Sequence, residues 1–109
     1  MTNFLKETID AIRLSRHTVE EVMFVGSYDG EYRINWDKFK KIGNIEYDAG
    51  YGLQEIDSEL IVYFTDGSWL ERVEYDGSEW WRHISPLKYS MDEEYKDFDS
   101  VESKRAMYY

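Results

Sequence analysis

The stretch that decides the fold is LIVYFTDGSWLERVEYDGSEWWRHI, residues 60–84. It reads as three strands joined by tight turns at Asp66-Gly67 and Asp76-Gly77. Asp-Gly between β-rich runs is a strong hairpin signal, because both central residues of a type I′ turn need φ > 0. The run Leu60-Ile61-Val62-Tyr63-Phe64 has no polar interruption, which predicts a central strand covered on both faces. The next run alternates, with Trp69, Val73 and Tyr75 on one side and Arg72 and Glu74 on the other. Adjacent strand residues face opposite ways, so one of Trp80 and Trp81 points away from the main core. It lies under a helix or the tail, or it anchors an interface.

Working outward, residues 22–35 predict a hairpin: Val22-Met23-Phe24-Val25 as a buried strand, a turn at Asp29-Gly30, and a short strand Tyr32-Arg33-Ile34-Asn35. Residues 3–16 predict an amphipathic helix, with Leu5, Ile9 and Ile12 at i, i+4, i+7, Phe4 and Ala11 beside them, and Thr2 or Asn3 as the cap. Thr18-Val19-Glu20-Glu21 fits a capping box. Asn35 caps a second, short helix whose Trp36, Phe39 and Ile42 share a face, and Gly43 suits its C′ position. Residues 44–59 are the least regular stretch, a loop of the length that carries either function or mobility, with Glu55–Glu59 offering the start of an edge strand. Pro86 ends the sheet. The expected fold is α+β: a mainly antiparallel sheet of about five strands, hairpin plus three-strand meander, with an N-terminal helix packed on it. The expected domain spans 1–89. An acidic tail over 90–109 is expected to be partly ordered, either as a helix over 93–107 with Phe98 and Val101 as anchors or as disordered chain.

The net charge of −10 is unevenly spread. Residues 1–41 hold seven basic and seven acidic side chains, whereas 42–109 hold six basic and sixteen acidic ones. Between Ile42 and Glu71 there is no Lys or Arg. Such a field repels nucleic acid and membrane phosphate and favours a basic partner. The chain has no cysteine, which excludes disulfides, thiolate zinc sites and a thiol nucleophile. No apolar run approaches the ~18 residues of a membrane span, and no signal-peptide pattern begins the chain, so the expected compartment is the cytoplasm. Aromatic residues make up 17%, more than one small core readily hides, so some are expected at a partner surface.

Chemistry is sparse. A Ser/His/Asp triad can be written with Ser78 and His83, but neither the spacing nor a nucleophile elbow supports it, and His83 reads as a half-buried structural residue. The Asp-Gly turns lack the ligand alternation of an EF-hand, and Gly50 and Gly52 lack the Lys and the strand–helix context of a phosphate loop. No catalytic residue, metal ligand or cofactor is expected. Surface recognition remains. Side chains two apart on a strand lie ~6.6–6.8 Å apart, of the order of the phosphate spacing along a nucleic-acid strand. The acids of 71–79, with those of 46–59, are therefore expected to present rows of carboxylates.

The segments EYDAGYGLQEI (46–56), ELIVYFTDGSWLER (59–72) and EYDGSEWW (74–81) resemble small, acidic, cysteine-free proteins of phages and mobile elements of Gram-positive bacteria. Anti-CRISPR inhibitors are among these. The resemblance implies a non-enzymatic inhibitor that binds a basic, nucleic-acid-handling protein, most plausibly a CRISPR effector nuclease, and blocks its access to DNA. It carries no residue-level motif. Charge and placement alone select Glu46, Asp48, Asp57, Glu71, Glu74, Asp76 and Glu79 as the acidic surface, with Tyr51 and Trp80 or Trp81 as anchors. The alternatives are a small-ligand binding module on the aromatic 44–59 loop, an enzyme built on His83, and a self-associating accessory protein, hence a homo-oligomer.

Overall fold

The protein is seen in a computed structural model that describes residues 1–50, 52–87, 90, 92–94, 96, 97, 100 and 101. The fold is α+β. A five-stranded antiparallel sheet has the order β3-β2-β5-β6-β7, formed by Val22–Ser27 (β2), Arg33–Ile34 (β3), Leu60–Phe64 (β5), Trp69–Tyr75 (β6) and Ser78–Ile84 (β7). A two-stranded ribbon pairs Thr2–Asn3 (β1) with Glu46–Tyr47 (β4). Two helices, Phe4–Leu14 (α1) and Trp36–Ile42 (α2), complete it, with a single 3-10 turn at Val19–Glu21. The expected hairpin and meander are present; the β1–β4 ribbon was not expected, because two-residue strands leave no periodicity to read. Among the described residues no helix is long and apolar enough to cross a membrane.

The local signals at the helix starts hold. Asn3 Oδ1 accepts the Lys6 N–H at 2.9 Å, and Asn35 Oδ1 accepts the Lys38 N–H at 2.8 Å. Thr18 and Glu21 close their capping box. The buried stripe of α1 differs from expectation: Phe4, Thr8 and Ile12 face the core, while Leu5, Ile9 and Ala11 flank it. Thr8 can be buried because its hydroxyl donates to the Phe4 carbonyl and accepts from Trp81 Nε1. Ile42 is exposed, so it leaves the Trp36–Phe39 face of α2. Gly43 ends α2 with φ −84°, not in the left-handed region; a Cβ there would come within 2.8 Å of the Phe39 ring.

The two Asp-Gly turns of the meander differ. Asp76 (φ 51°) and Gly77 (φ 86°) form the expected two-residue turn between Tyr75 and Ser78. Asp66-Gly67 sits instead in a four-residue connection closed by Phe64 N–H donating to the Ser68 carbonyl, and only Gly67 has positive φ. The Asp66 carboxylate accounts for the difference: it accepts the Ser68 N–H and hydroxyl, holding the wider loop. Glu55–Glu59 is not a strand; Asp57 Oδ1 accepts the Glu59 N–H and turns the chain into β5.

The core lies on one face of the sheet. Val25, Val62, Phe64, Leu70 and Trp81 pack there against Phe4 and Ile12 of α1, Phe39 of α2 and Tyr47 of β4. Each fully buried apolar side chain of this kind contributes about 1.5–3 kcal/mol. The central strand β5 is therefore covered on one face by helices. Among the described residues no helix covers its second face, which corrects the expectation of two covered faces. Ile61 is buried there, but by side chains of the sheet itself: Phe24 stacks on Tyr63 at 5.2 Å, and Tyr28 meets Trp69 edge-on at 6.4 Å. In the C-terminal stretch, Phe98 and residues 102–107 of the expected 93–107 helix lie outside the described residues. The residues described there carry no helix.

Candidate partner-binding surface

The acids are gathered by loops rather than aligned along strands. Glu71 and Glu74 are three residues apart, so they leave opposite faces of β6. Glu71 lies half-buried on the open face, where it accepts the Trp69 indole N–H at 2.9 Å and pairs with Arg82 at 2.6 Å. Burial pushes the Glu71 carboxyl up, and Arg82 and Trp69 more than offset it, so the group stays ionised below the usual range. Glu74 is exposed at the β6–β7 turn and accepts the Gly77 N–H. Asp76, at the tip of that turn, is exposed.

Glu79 is not at the surface. Its side chain is fully buried, pairs with Arg72 at 3.0 Å, and accepts the N–H groups of Glu55 and Ile56. The expected surface role of Glu79 is thus corrected: its position opposite Glu74 turns it to the core face, where Arg72 holds it. Trp81 is corrected in the same way. It is 8% exposed, stacks on Phe4, and donates to Thr8. Trp80 is the outward member of the pair, at 42% exposed. Tyr51 lies outside the described residues.

The topology does bring acids together at one end of the sheet, where β2 and β6 finish and β5 and β7 begin. The loop before β5 is tied to the β2–β3 connection by Tyr28 N–H donating to the Glu59 carbonyl. The 48–56 segment is tied to β7 by Glu79 N–H donating to the Ala49 carbonyl. The Glu55 carboxylate also accepts the Asp48 N–H. Asp48, Glu55, Asp57, Glu59, Glu74 and Asp76 therefore share this end, all exposed except the half-buried Asp48. Glu46 lies close by on β4, where its carboxylate accepts from Asn3 Nδ2.

Asp29 and Glu31 of the β2–β3 connection join them and were missed. They sit in the charge-neutral half of the sequence, and only the pairing of β2 with β5 reveals where their loop falls. The Ser27 hydroxyl and the Glu31 N–H hold the Asp29 carboxyl below its usual range, so it remains charged. Several of these carboxylates accept one local N–H, which orients them and leaves their charge uncancelled. The end as a whole is a fixed concentration of negative potential, suited to a basic surface.

Arg72 holds the same end from inside. Its guanidinium is fully buried, bonds Glu7 at 2.9 Å, the Tyr47 hydroxyl at 3.1 Å and Glu79, and lies 4.8 Å from the centre of the Trp81 ring. The Tyr47 hydroxyl donates to Glu7, and burial together with that carboxylate pushes its pKa up to about 12. This network ties α1, β4, β6, β7 and the 55–56 backbone together.

No family model, curated protein or solved structure matches this chain.

At the opposite end of the sheet, the paired histidine is His17, not His83. The main chain after α1 turns at Arg16 (φ 63°), with His17 N–H donating to the Ile12 carbonyl, and this lays the His17 ring on Phe64 at 4.0 Å. Nδ1 donates to the Ser15 carbonyl and Nε2 to Asp66 at 2.7 Å. The Ser68 hydroxyl donates to the same carboxylate at 2.6 Å, so it is not primed as a nucleophile. Among the described residues His83 Nε2 is buried without a partner; burial and the nearby His17 push His83 toward its neutral form. Among the described residues no group of three or more acidic or histidine side chains is arranged to hold a metal ion.

The His17–Asp66 pair carries a pH dependence. Burial pulls the His17 pKa down, but Asp66, the Ser15 carbonyl and Glu21 outweigh it and raise it overall. Ser68 and His17 hold Asp66 well below the carboxylate range. The raised histidine stabilises the fold fully below its unfolded pKa of about 6.5 and loses that contribution as pH rises through its folded value. The depressed aspartate contributes above about 3.9 and loses it as pH falls. In Asp66→Asn, the loss of stability relative to the unmodified chain is therefore expected to be greatest between about pH 4 and 6.5 and to shrink toward pH 8. Urea unfolding across pH measures it; a loss independent of pH contradicts the pairing.

The open face carries a second feature. A cleft of about 490 Å³ is lined by Met23, Phe24, Tyr28, Arg33, Tyr63 and Trp69, among others. No residue of the 44–59 loop, where a ligand pocket was expected, is among those lining it; that loop borders a smaller cleft of about 220 Å³ through Asp57 and Glu59.

Proposed function

We propose that this protein is a non-enzymatic inhibitor whose acidic sheet end docks on a basic, nucleic-acid-handling protein and blocks its access to DNA. The most plausible target is a CRISPR effector nuclease in the bacterial cytoplasm. One observation carries the reading: three separate connections deliver Asp29, Glu31, Asp57, Glu59, Glu74 and Asp76 to one end of the sheet, in a chain with no Lys or Arg between Ile42 and Glu71. The resemblance of 46–56, 59–72 and 74–81 to small acidic phage proteins supports the same target class. The carboxylates act through the field they set up and through pairing with Arg and Lys of the partner, so association is fast and weakens with salt.

The test is capture of partners from a bacterial lysate at low and high salt, with Asp57→Lys/Glu74→Lys/Asp76→Lys as the comparison. The unmodified chain is expected to retain a DNA- or RNA-binding protein that high salt releases, and the variant to retain about a tenth as much or less. These residues are exposed, so the variant should unfold at nearly the same urea concentration. Equal retention by both proteins sinks the assignment. The aromatic cleft on the open face favours a second reading, a small-ligand binding module. Quenching of Trp69 fluorescence by a small molecule, with nothing captured from lysate, would select it.

A further inference from the structure

The cleft of about 490 Å³ on the open face reaches the acidic end, because Tyr28, Asp29 and Gly30 of the β2–β3 connection form one of its walls. Its floor is Ile61, buried in the central strand. Two pairs of rings stand over that floor. Phe24 stacks on Tyr63 at 5.2 Å, and Tyr28 meets Trp69 at 79° with ring centres 6.4 Å apart. The first pair is occupied: the Arg33 guanidinium lies 4.8 Å from the centre of the Phe24 ring, pinned by Nε donating to the Gly30 carbonyl. The second pair makes a corner with Tyr28 58% exposed, and among the described residues no cation lies over either of its rings. The Asp29 carboxylate is half used. The Ser27 hydroxyl and the Glu31 N–H both donate to its Oδ1, and among the described residues nothing donates to Oδ2. Arg33 lines the same cleft without pairing to it. Glu31 follows in the same connection, and Glu59 is joined to Tyr28 through its carbonyl, so carboxylates outnumber the one guanidinium at this mouth. Glu71, beyond Trp69, is balanced by Arg82.

We infer that an arginine of the protein partner enters this cleft, with its guanidinium in the Tyr28–Trp69 corner and on the free oxygen of Asp29. The inference rests on the acidic-end reading for its partner and gives that surface an anchor. Apolar rings with a carboxylate at the rim fit a side chain that is flat, weakly hydrated and cationic. Arg33 shows the arrangement within the chain itself, a guanidinium on a ring of the same cleft. Lysine fits less well, because its compact ammonium holds water more tightly and does not stack. The lining suits an interface centre, where aromatic residues and Met concentrate while charged groups form the rim. Met23, 54% exposed, belongs to it.

The probes are the blocked peptides acetyl-Gly-Arg-Gly-amide and acetyl-Gly-Lys-Gly-amide, titrated into the isotope-labelled full chain and followed by NMR. The readout is the indole N–H signal of Trp69, identified by its loss in Trp69→Phe. The arginine peptide is expected to shift it with a Kd on the order of millimolar, and the lysine peptide to bind about fivefold or more weakly. Asp29→Asn keeps an oxygen for Ser27 and Glu31 while removing the charge, and Tyr28→Leu removes an exposed ring. Each is expected to weaken arginine binding about fivefold or more. No shift at Trp69, an equal response to both peptides, or unchanged binding in both variants overturns the inference. Capture from lysate separates it from the acidic-end reading. Tyr28→Leu/Asp29→Asn is expected to retain about a fifth of the partner or less, and full retention overturns the anchor with the acidic end still standing. Asp57→Lys/Glu74→Lys/Asp76→Lys leaves the cleft's own residues in place, so the arginine peptide should still shift Trp69 in that variant, whether or not the partner is lost.

Discussion

Arg72→Met is expected to destabilise the protein by about 3–5 kcal/mol. Arg72 and Glu79 both have side chains with no exposed surface, and the guanidinium balances Glu79 and Glu7 together. Removing it leaves Glu79 as a buried carboxylate held only by the N–H groups of Glu55 and Ile56. An uncompensated charge in that setting costs more than the bond that was lost. The second expected result follows from the same physics. Arg72→Met/Glu79→Gln should be more stable than Arg72→Met alone, because the amide oxygen still accepts one of the two backbone N–H groups and the buried charge, the larger cost, is gone. Urea unfolding midpoints with unchanged m-values measure both. A double variant less stable than the single one contradicts the view of Arg72 as charge balance.

Trp81→Ala is expected to cost about 3–5 kcal/mol, and Trp80→Ala less than about 1 kcal/mol. The adjacent residues differ because β7 has the core on only one face. Trp81 stacks on Phe4 at 5.6 Å, lies under Arg72, and gives its indole N–H to Thr8 at 2.9 Å. Its loss opens a cavity where α1 meets the sheet and leaves Arg72 without a wall. Trp80 has no such neighbours on the core side and is 42% exposed. Thermal or urea unfolding of the two variants side by side distinguishes them. Similar losses would mean that the open face is covered as thoroughly as the core face.

The architecture was legible because its signals are local. Asn3 and Asn35 mark their helices, the uninterrupted run of β5 marks the central strand, and Asp76-Gly77 marks a two-residue turn. The site was only partly legible, because its residues are brought together by pairing that spacing does not encode. Glu79 was read as one surface acid among several. The signal that separates it is Arg72, seven residues earlier and on the same core face of a paired strand, where a lone charge needs a partner. Asp29 was passed over for the opposite reason: it lies within residues 1–41, which are neutral when counted together, and the β2–β5 pairing is what carries its loop to the acidic end. The four-residue turn at Asp66 was hidden by the same Asp-Gly pair that is diagnostic at Asp76. What differs is a buried serine two residues on, which gives the aspartate something to hold.

The central claim is that the acidic end denies a nuclease its DNA. Its direct measurement is the fluorescence anisotropy of a labelled target duplex, titrated with guide-loaded CRISPR effector nucleases in the presence and absence of this protein. The account expects at least one nuclease to lose its DNA affinity, the loss to fade as salt rises, and Asp57→Lys/Glu74→Lys/Asp76→Lys to abolish the effect. DNA binding that is undisturbed throughout, or blocked equally well by the charge-reversed protein, would contradict it.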